Sequence, residues 1–308
     1  MRWGNLGYVA ITLGVLFSTS NAEASPHYSS WSTPINLGAT INSPYQDFGP
    51  AISKDGLRLY FTSDRPGGFG NQDIWVSQRA TEDDAWGPPL NLGAMVNTAA
   101  SDNTPAFSRD GHWMFFNSTR PGGLGSQDIW AAWRDDVHDD FAWQTPFNLG
   151  SGVNSPFVDA FPTFFENEEG GAPLLYFSSN RPGGTGGSDI YVSQLGADGV
   201  FLPATLVSEL STSSGEQRAS IRFDGLEIIF VRNPPGLLFQ GDLWVSTRES
   251  ANDPWSIPEH LDAPLNTPWH DAHPYIAADR ETLFFNSDRP GGFGALDLYV
   301  ATRTKVRP

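Results

Sequence analysis

Five carboxylic acids recur along the chain at nearly constant spacing and could do chemistry as a group. They lie 55, 57, 57 and 55 residues apart, and they are Asp47, Asp102, Asp159, Glu216 and Asp271. If the strand that follows each acid lined a common channel, the acids would form a ring near one mouth. Neighbouring carboxylates raise one another's pKa or bind a cation. A pair about 5–10 Å apart can also hydrolyse a glycosidic bond.

Three interpretations of this ring are open. A structural role, in which each acid accepts hydrogen bonds from backbone N–H groups, is favoured because a catalytic pair would need only two repeats. A cation site and catalysis are the alternatives. We therefore expect the five acids to be ligand-binding candidates, and to supply the catalytic residues if the protein is an enzyme.

Two histidines flank the last of these acids. His270 and His273 stand on either side of Asp271, and histidine with a carboxylate is a common metal-ligand set. On a strand, residues three apart face opposite sides, which argues against joint ligation unless the segment is a loop. Packed or surface histidines are the favoured interpretation. His270 and His273 remain ligand-binding candidates and, with Asp271, candidates for a divalent cation; no other cofactor is expected.

The chemistry-bearing residues belong to a repeat. Each copy ends on an aspartate followed by an aliphatic and an aromatic residue, and these aspartates are Asp73, Asp128, Asp189, Asp242 and Asp297. Four copies carry Arg-Pro-Gly-Gly just before that aspartate, beginning at Arg65, Arg120, Arg181 and Arg289. We expect the aspartate to cap turn amides and to pair with the motif arginine.

Each copy predicts four strands. In the first copy these are residues 48–53, 57–63, 73–79 and a segment from Trp86 through Asn-Leu-Gly. The Asp-Gly at Asp55 is a strong hairpin signal, and Pro-Gly-Gly suits a longer hairpin loop. No stretch has a helical period. Four-stranded units repeated five times predict an all-β, five-bladed β-propeller.

The two ends of the repeat array are complementary. The array opens with a lone fourth-strand segment at residues 31–38 and finishes on a third strand at residues 297–303. We therefore expect the N-terminal strand to close the last blade, which removes open sheet edges. The propeller is predicted to span residues 25–308.

Composition limits the partners and the compartment. The formal net charge of −17 disfavours nucleic acid and anionic membranes. The chain has no cysteine, so it can form no disulfide and carries no lipoprotein anchor. Residues 1–24 combine a positive start, an apolar stretch and Ala-Glu-Ala, which predicts a signal peptide. We expect a periplasmic or extracellular monomer that is not inserted in a membrane after cleavage.

The repeats resemble the WD40-like PD40 repeats of TolB-type β-propellers over about residues 31–303. The matching features are an acidic-x-x-Pro segment, a Ser-x-Asp-Gly turn and the Ser-x-Arg-Pro-Gly-Gly…Asp-Ile-Trp hairpin. The acidic segments are Asp47–Pro50, Asp102–Pro105, Asp159–Pro162 and Asp271–Pro274. The fourth repeat departs, because it has Arg232-Asn233-Pro234-Pro235-Gly236 in place of Ser-x-Arg-Pro-Gly. The resemblance implies a binding platform or an assembly partner, and less often an enzyme.

The chain shows no nucleophile elbow, phosphate loop, dinucleotide fingerprint or zinc-protease helix. We therefore expect a non-catalytic binding or interaction module for a protein or glycan ligand. The alternative is a carbohydrate-active enzyme, a glycoside hydrolase or lyase, that uses the carboxylates at the channel mouth.

Overall fold

The computed structural model describes residues 27–167, 170–237 and 240–306. In these ranges every regular element is a β-strand, which confirms the all-β prediction. The predicted signal peptide, residues 1–24, lies outside the described residues. Within the described ranges no helix is long and apolar enough to cross a bilayer.

The strands follow one another at regular intervals. In chain order they are β1 His27–Tyr28, β2 Ile35–Asn36, β3 Asp47–Ile52, β4 Arg58–Ser63, β5 Asp73–Gln78, β6 Leu90–Asn91, β7 Asp102–Phe107, β8 Trp113–Ser118, β9 Asp128–Trp133, β10 Phe147–Asn148, β11 Asp159–Phe165, β12 Leu174–Ser179, β13 Asp189–Gln194, β14 Thr205–Leu206, β15 Gly215–Ile221, β16 Glu227–Asn233, β17 Asp242–Thr247, β18 Glu259–His260, β19 Asp271–Ile276, β20 Thr282–Ser287, β21 Asp297–Thr302 and β22 Lys305–Val306.

These strands form five antiparallel sheets of four strands each. The first four blades are β3–β6, β7–β10, β11–β14 and β15–β18, and the fifth is β19–β21 with β2. The innermost strands β3, β7, β11, β15 and β19 contact one another in a closed ring around a central channel. The predicted five-bladed β-propeller is therefore confirmed.

The closure of the ring also follows the prediction. β2 pairs antiparallel with β21 at the outer edge of the fifth blade. The Asn36 side-chain amide donates to Asp297 over 2.8 Å, and the Leu37 amide donates to the Leu298 carbonyl over 3.0 Å. Outer strands are shorter than predicted, two residues each, because the prolines before them have no N–H for the ladder.

The cores lie between blades. Five clusters of buried apolar side chains occupy the five interfaces between neighbouring sheets. Successive strand residues serve opposite interfaces: Phe115 of β8 packs toward the third blade and Phe116 toward the first. This alternation follows from the two-residue period of a strand.

Each inner strand has an irregularity at the same point, two residues after its acid. The pairing register with the second strand shifts there in every blade. The residue at this point has a positive φ, 60° at Gly49, 51° at Thr104, 58° at Phe161, 58° at Arg218 and 50° at His273. Glycine adopts this conformation freely, whereas other residues pay about 1–3 kcal/mol. Strain of this kind in four blades directs attention to the channel.

Candidate functional site

The two mouths of the channel differ in what surrounds them. All inner strands begin at one end, which we term the upper mouth. The Arg-Pro-Gly-Gly loops lie at the same end, because Ser63 at the end of β4 pairs with Asp47 at the start of β3. The Asp-Gly turns lie at the opposite end, the lower mouth.

The five repeated acids begin the inner strands at the upper mouth, as expected, but their side chains are fully buried. Each forms an ion pair with one arginine of its own blade at 2.5–2.8 Å. The arginine partners are Arg65, Arg120, Arg181, Arg232 and Arg289.

The second blade illustrates how completely each acid is engaged. One oxygen of Asp102 accepts from the Thr98 amide at 2.6 Å and from the Thr98 hydroxyl at 2.8 Å. The other accepts from Ser118 at 2.5 Å and from Arg120 at 2.6 Å. Both oxygens are thus occupied within the blade. This geometry fits the structural interpretation of the ring and leaves little capacity for a cation or a glycosidic bond.

The fourth blade reaches the same ion pair by another route. Arg232 lies within β16, directly opposite Glu216, whereas Arg65 lies two residues beyond the end of β4. The longer glutamate side chain compensates for the shift. The Arg232 guanidinium lies over Phe230 and Trp244, as that of Arg65 lies over Phe61 and Trp75 in the first blade.

Four aspartates of the second set, Asp73, Asp128, Asp189 and Asp297, cap the hairpin loops, as predicted, whereas Asp242 lies 3.0 Å from Nε2 of His260. Asp73 accepts from the amides of Phe69 at 2.5 Å and Gly70 at 3.1 Å, and also from the Asn91 side chain. The expected pairing of this aspartate with the motif arginine is wrong, because Arg65 pairs with Asp47. Ser63 pairs with Asp47 on one side and with Asp73 on the other, and the arginine two residues later folds back toward the inner strand.

The channel itself is lined by the strained residues of the inner strands. Arg218 donates to Nδ1 of His273 over 2.7 Å. Its guanidinium lies 4.4 Å from the centroid of the Phe161 ring, in a cation–π contact. No carboxylate in the described ranges forms an ion pair with Arg218. Burial lowers the pKa of Arg218 to about 9, which leaves the group charged at neutral pH.

The two predicted histidines lie beside this arginine. Burial, together with the charge of Arg218, lowers the pKa of His270 to about 4 and that of His273 well below 6.5. Both rings are therefore neutral at pH 7. Nδ1 of His270 accepts from the Gly241 amide over 3.0 Å, and Nδ1 of His273 accepts from Arg218. The proton of each neutral ring accordingly lies on Nε2.

Asn286 is consistent with this tautomer of His273. Its side-chain amide lies 2.5 Å from Nδ1, and the oxygen and nitrogen of such an amide are interchangeable by a flip. Turning the amide nitrogen toward the ring avoids the close approach of two acceptors, and the single lone pair of Nδ1 is then shared by the N–H groups of Arg218 and Asn286.

A cavity of about 470 Å³ opens at the upper mouth between the second, third, fourth and fifth blades. Its wall is more apolar than polar, with Val158, Pro234, Pro235 and Leu237 among its residues, and its polar groups include Gln127, Asn180, Ser188, Ser213 and Gln217. Arg218, His270 and the Phe161 ring also line it. Hydroxyl and amide groups around a single cation and an aromatic face suit a polar, hydroxyl-rich ligand.

A second cavity, of about 490 Å³, lies at the lower mouth near the Asp-Gly turns of the first two blades. Two of its lining residues, Tyr60 and Arg134, contact the buried Asp140, which accepts from Arg134 at 3.2 Å and from Gln78 at 2.6 Å, and also from the Tyr60 hydroxyl. Burial and the charge of Asp140 raise the pKa of Tyr60. The network is saturated by its own members and joins the first and second blades.

No metal geometry accompanies the histidines. In the described part of the chain no group of three or more His, Asp or Glu residues is arranged to hold a metal ion. Asp271 is held instead by Arg289 at 2.6 Å and by Thr267. The divalent-cation candidate at His270, Asp271 and His273 stays a prediction.

Sequence reasoning missed a further set of upper-mouth residues. In four blades the second strand ends on a serine, and the residue after that serine accepts from the amide that precedes the inner-strand acid. Asp64 accepts from Gln46, and Asp288 accepts from His270, both at 2.7 Å. The equivalent residues in the second and third blades are Thr119 and Asn180. Variation at this point of an otherwise regular motif was the available signal.

The stability of the folded protein should depend on pH because of the buried His270. Below pH 6.5 the unfolded chain protonates His270 whereas the folded protein, with a pKa of about 4, does not. Stability is therefore lost as the pH falls from about 6.5 to 4, by up to about 3 kcal/mol for this group. In urea titrations across that range, His270→Gln should flatten the decline, and the exposed control His138→Gln should not. An unchanged slope in His270→Gln would contradict the shift.

Comparison with known proteins finds solved structures that share this fold. No protein-family model and no curated protein matches this chain. Among solved structures, the catalytic domain of a GH62 α-L-arabinofuranosidase from Coprinopsis cinerea is 14% identical over 91% of this chain and 98% of that one, with a TM-score of 0.59. An α-L-arabinofuranosidase from Lactobacillus brevis is 12% identical over 88% and 94%, with a TM-score of 0.60.

Other similar structures include a GH43_12 protein from a capybara gut metagenome, 12% identical over 87% of this chain and 53% of that one, with a TM-score of 0.58. A putative TolB from Agrobacterium tumefaciens is 15% identical over 84% and 74%, with a TM-score of 0.48. At these identities the likeness to the two arabinofuranosidases and the GH43_12 protein establishes a shared fold.

The comparisons correct the expected function. We expected a non-catalytic binding module, but similar structures are repeatedly carbohydrate-cleaving enzymes, among them arabinofuranosidases and an exo-β-1,3-galactanase. The alternative, a carbohydrate-active enzyme, is the better supported of the two. The resemblance to TolB-type propellers implied a β-propeller, and the structure shows a five-bladed one.

Proposed function

We propose that this propeller is a carbohydrate-active enzyme that acts on a saccharide bound in the upper cavity. The observation that carries the proposal is the cavity at the mouth of the channel, lined by hydroxyl, amide, arginine and aromatic groups. Its volume of about 470 Å³ falls in the usual range for small-ligand sites. The shared fold with carbohydrate-cleaving enzymes adds support by analogy.

The polar groups in the wall of the cavity suit sugar hydroxyls. Ser188, Ser213 and Gln217 offer both donors and acceptors, and the face of Phe161 offers an apolar surface on which a sugar ring can stack. Such a mixture binds a ring that has polar edges and an apolar face.

Two carboxylates at the same mouth, which flank the upper cavity without belonging to its wall, are the best candidates for acid–base chemistry. Asp64 is half-buried and Asp288 is exposed, and they occupy equivalent positions on the adjacent first and fifth blades. Each uses one oxygen to accept a backbone amide, which leaves the other oxygen open to a substrate. Glycosidases require such a pair of carboxyl groups on either side of the scissile bond. The five inner-strand acids have no oxygen to spare.

Isosteric substitutions test this assignment. Asp64→Asn and Asp288→Asn should each lower turnover by at least about 100-fold, since acid–base groups contribute at that level. Their thermal stability should stay near wild type, because Asn180 makes the same backbone hydrogen bond in the third blade. Release of reducing sugar from arabinan, arabinoxylan and uronate-containing polysaccharides would be measured.

Thr119→Asp is the matched control, since it alters the equivalent position in the second blade, which naturally lacks the acid, and Thr119 lies outside the wall of the upper cavity. It should leave turnover within a few-fold of wild type. Full turnover in both Asp64→Asn and Asp288→Asn would remove these residues from the mechanism. Absence of turnover on every polysaccharide would refute the enzymatic proposal.

We further propose that the enzyme works in the periplasm or outside the cell as a monomer, with a glycan as partner and without nucleic acid. The signal-like residues 1–24, the net charge of −17 and the lack of cysteine support this setting. Membership of the PD40 repeat family is part of the proposal, and it is supported by the Ser-x-Arg-Pro-Gly-Gly motifs of four blades.

A further inference from the structure

We infer that the ligand of the upper cavity is an acidic saccharide whose carboxylate is bound by Arg218 and His273. This deepens the proposed function and rests on it for the sugar. The chemistry recognised is an oxyanion, and in a saccharide site the plainest source is a uronic acid.

Arg218 differs from the arginines that pair with the inner-strand acids. In every blade one arginine forms an ion pair with the inner-strand acid, as Arg120 does with Asp102. Arg218 is a further arginine of the fourth blade and forms no ion pair with an acid in the described ranges. A desolvated cation without a counter-charge is costly, so an anion that enters the site gains an interaction the protein does not supply.

Arg218 and His273 together carry a surplus of hydrogen-bond donors. Nε of Arg218 and Nε2 of His273 are both buried and have no hydrogen-bond partner in the described protein. Buried polar groups are nearly always paired, and both of these atoms carry a proton. A carboxylate offers only acceptors and has two oxygens, so it complements these donors better than a neutral hydroxyl does.

The side chains of Arg218 and His273 are preorganised for binding. The guanidinium of Arg218 is fixed on one face by Phe161 and at Nη1 by His273. The backbone of both Arg218 and His273 is held at positive φ, a conformation that the fold maintains at a cost. Rigid donors lose little entropy on binding, which favours affinity and selectivity.

The position of Arg218 also suits this role. Arg218 lines both the channel and the upper cavity, so its side chain stands where the two spaces join. A saccharide in the cavity can direct a carboxylate down to this junction while its hydroxyls remain among the serines of the wall.

The test is a binding measurement that does not depend on turnover. Calorimetry would compare trigalacturonate and trimannuronate with their methyl esters, in which a methyl group replaces the carboxylate charge, and with a sulfated neutral trisaccharide. Wild type should bind at least one free acid about tenfold or more tightly than its ester, as expected for a charge-assisted contact. Arg218→Met should abolish that preference.

Lys54→Gln is the matched control, because it also removes one positive charge but at the lower mouth. It should keep the preference for the free acid. Arg218→Lys, checked by thermal unfolding alongside Arg218→Met, retains the charge and should keep part of the preference even if the methionine variant folds poorly.

The outcomes separate this inference from the proposed function. Equal binding of acid and ester, no binding of either acid, or a preference that survives in folded Arg218→Met would overturn the acidic ligand. Tighter binding of the sulfated sugar than of both acids would overturn the carboxylate in favour of a sulfate. Arg218-dependent binding without any turnover would keep the inference and reject the enzyme, whereas turnover of neutral glycans alone would do the reverse.

Discussion

Replacing Asp102 with alanine is expected to lower the free energy of unfolding by about 3–5 kcal/mol. The carboxylate is fully buried, and the Arg120 side chain that pairs with it is only 10% exposed. Removal of the acid leaves a poorly solvated guanidinium and also deprives the Thr98 amide and hydroxyl and the Ser118 hydroxyl of their acceptor. The cost therefore exceeds that of an exposed ion pair, which is worth about 0–1 kcal/mol.

Urea unfolding of Asp102→Ala, Arg120→Ala and the double variant would measure this effect. The double variant should be less destabilised than the sum of the two single variants, because it leaves no unpaired charge. The exposed pair of Asp55 and Arg58 at the Asp-Gly turn provides the comparison, and Asp55→Ala should cost about 1 kcal/mol or less. A loss below 1 kcal/mol in Asp102→Ala would show that the acid is not a structural element of the blade.

The second large effect concerns the closure of the ring. A chain that begins at residue 39 lacks β2 and should be about 4–7 kcal/mol less stable, at roughly 1 kcal/mol per net hydrogen bond and 2–3 kcal/mol per packed aromatic side chain. The truncation removes the Leu37 and Asn36 contacts with the fifth blade and the packing of Trp31 beneath Arg303. It also exposes the edge of β21, so self-association is expected.

A permuted chain supplies the control for this prediction. Residues 27–38 joined through a flexible linker after Val306 can refill the same edge of β21, since β1 and β22 are already paired in the native protein. The permutant should recover most of the lost stability and sediment as a monomer. A truncated chain as stable as the full one would show that the fifth blade closes without β2.

The architecture could be derived from the sequence because it rests on local and periodic signals. Asp-Gly turns, Pro-Gly-Gly loops and regularly spaced acids such as Asp47 and Asp102 define one blade, and repetition then defines the number of blades. Closure followed from the same logic, since a lone outer strand at the start of the array and a missing one at the end can satisfy only each other. Even the structural interpretation of the repeated acids followed from their presence in every copy.

The partners of individual side chains could not be derived in this way. Arg65 lies near two carboxylates along the chain, Asp47 and Asp73, and only the folded loop decides that it joins the first. Arg232 occupies a different position in its repeat from the other arginines, yet it fills the same place over an aromatic pair. Sequence alignment of the repeats treats this as a loss, whereas the structure shows a compensated exchange.

The sequence by itself thus determined the fold, the number of blades and the seam that closes them, because these depend on patterns repeated within each copy. Only the tertiary structure decided which residues share the channel. Arg218 and His273 meet across the fourth and fifth blades. These residues are neighbours because the register shift of each inner strand turns one residue into the channel. The arrangement of the blades, and no local sequence pattern, determines which residues meet there.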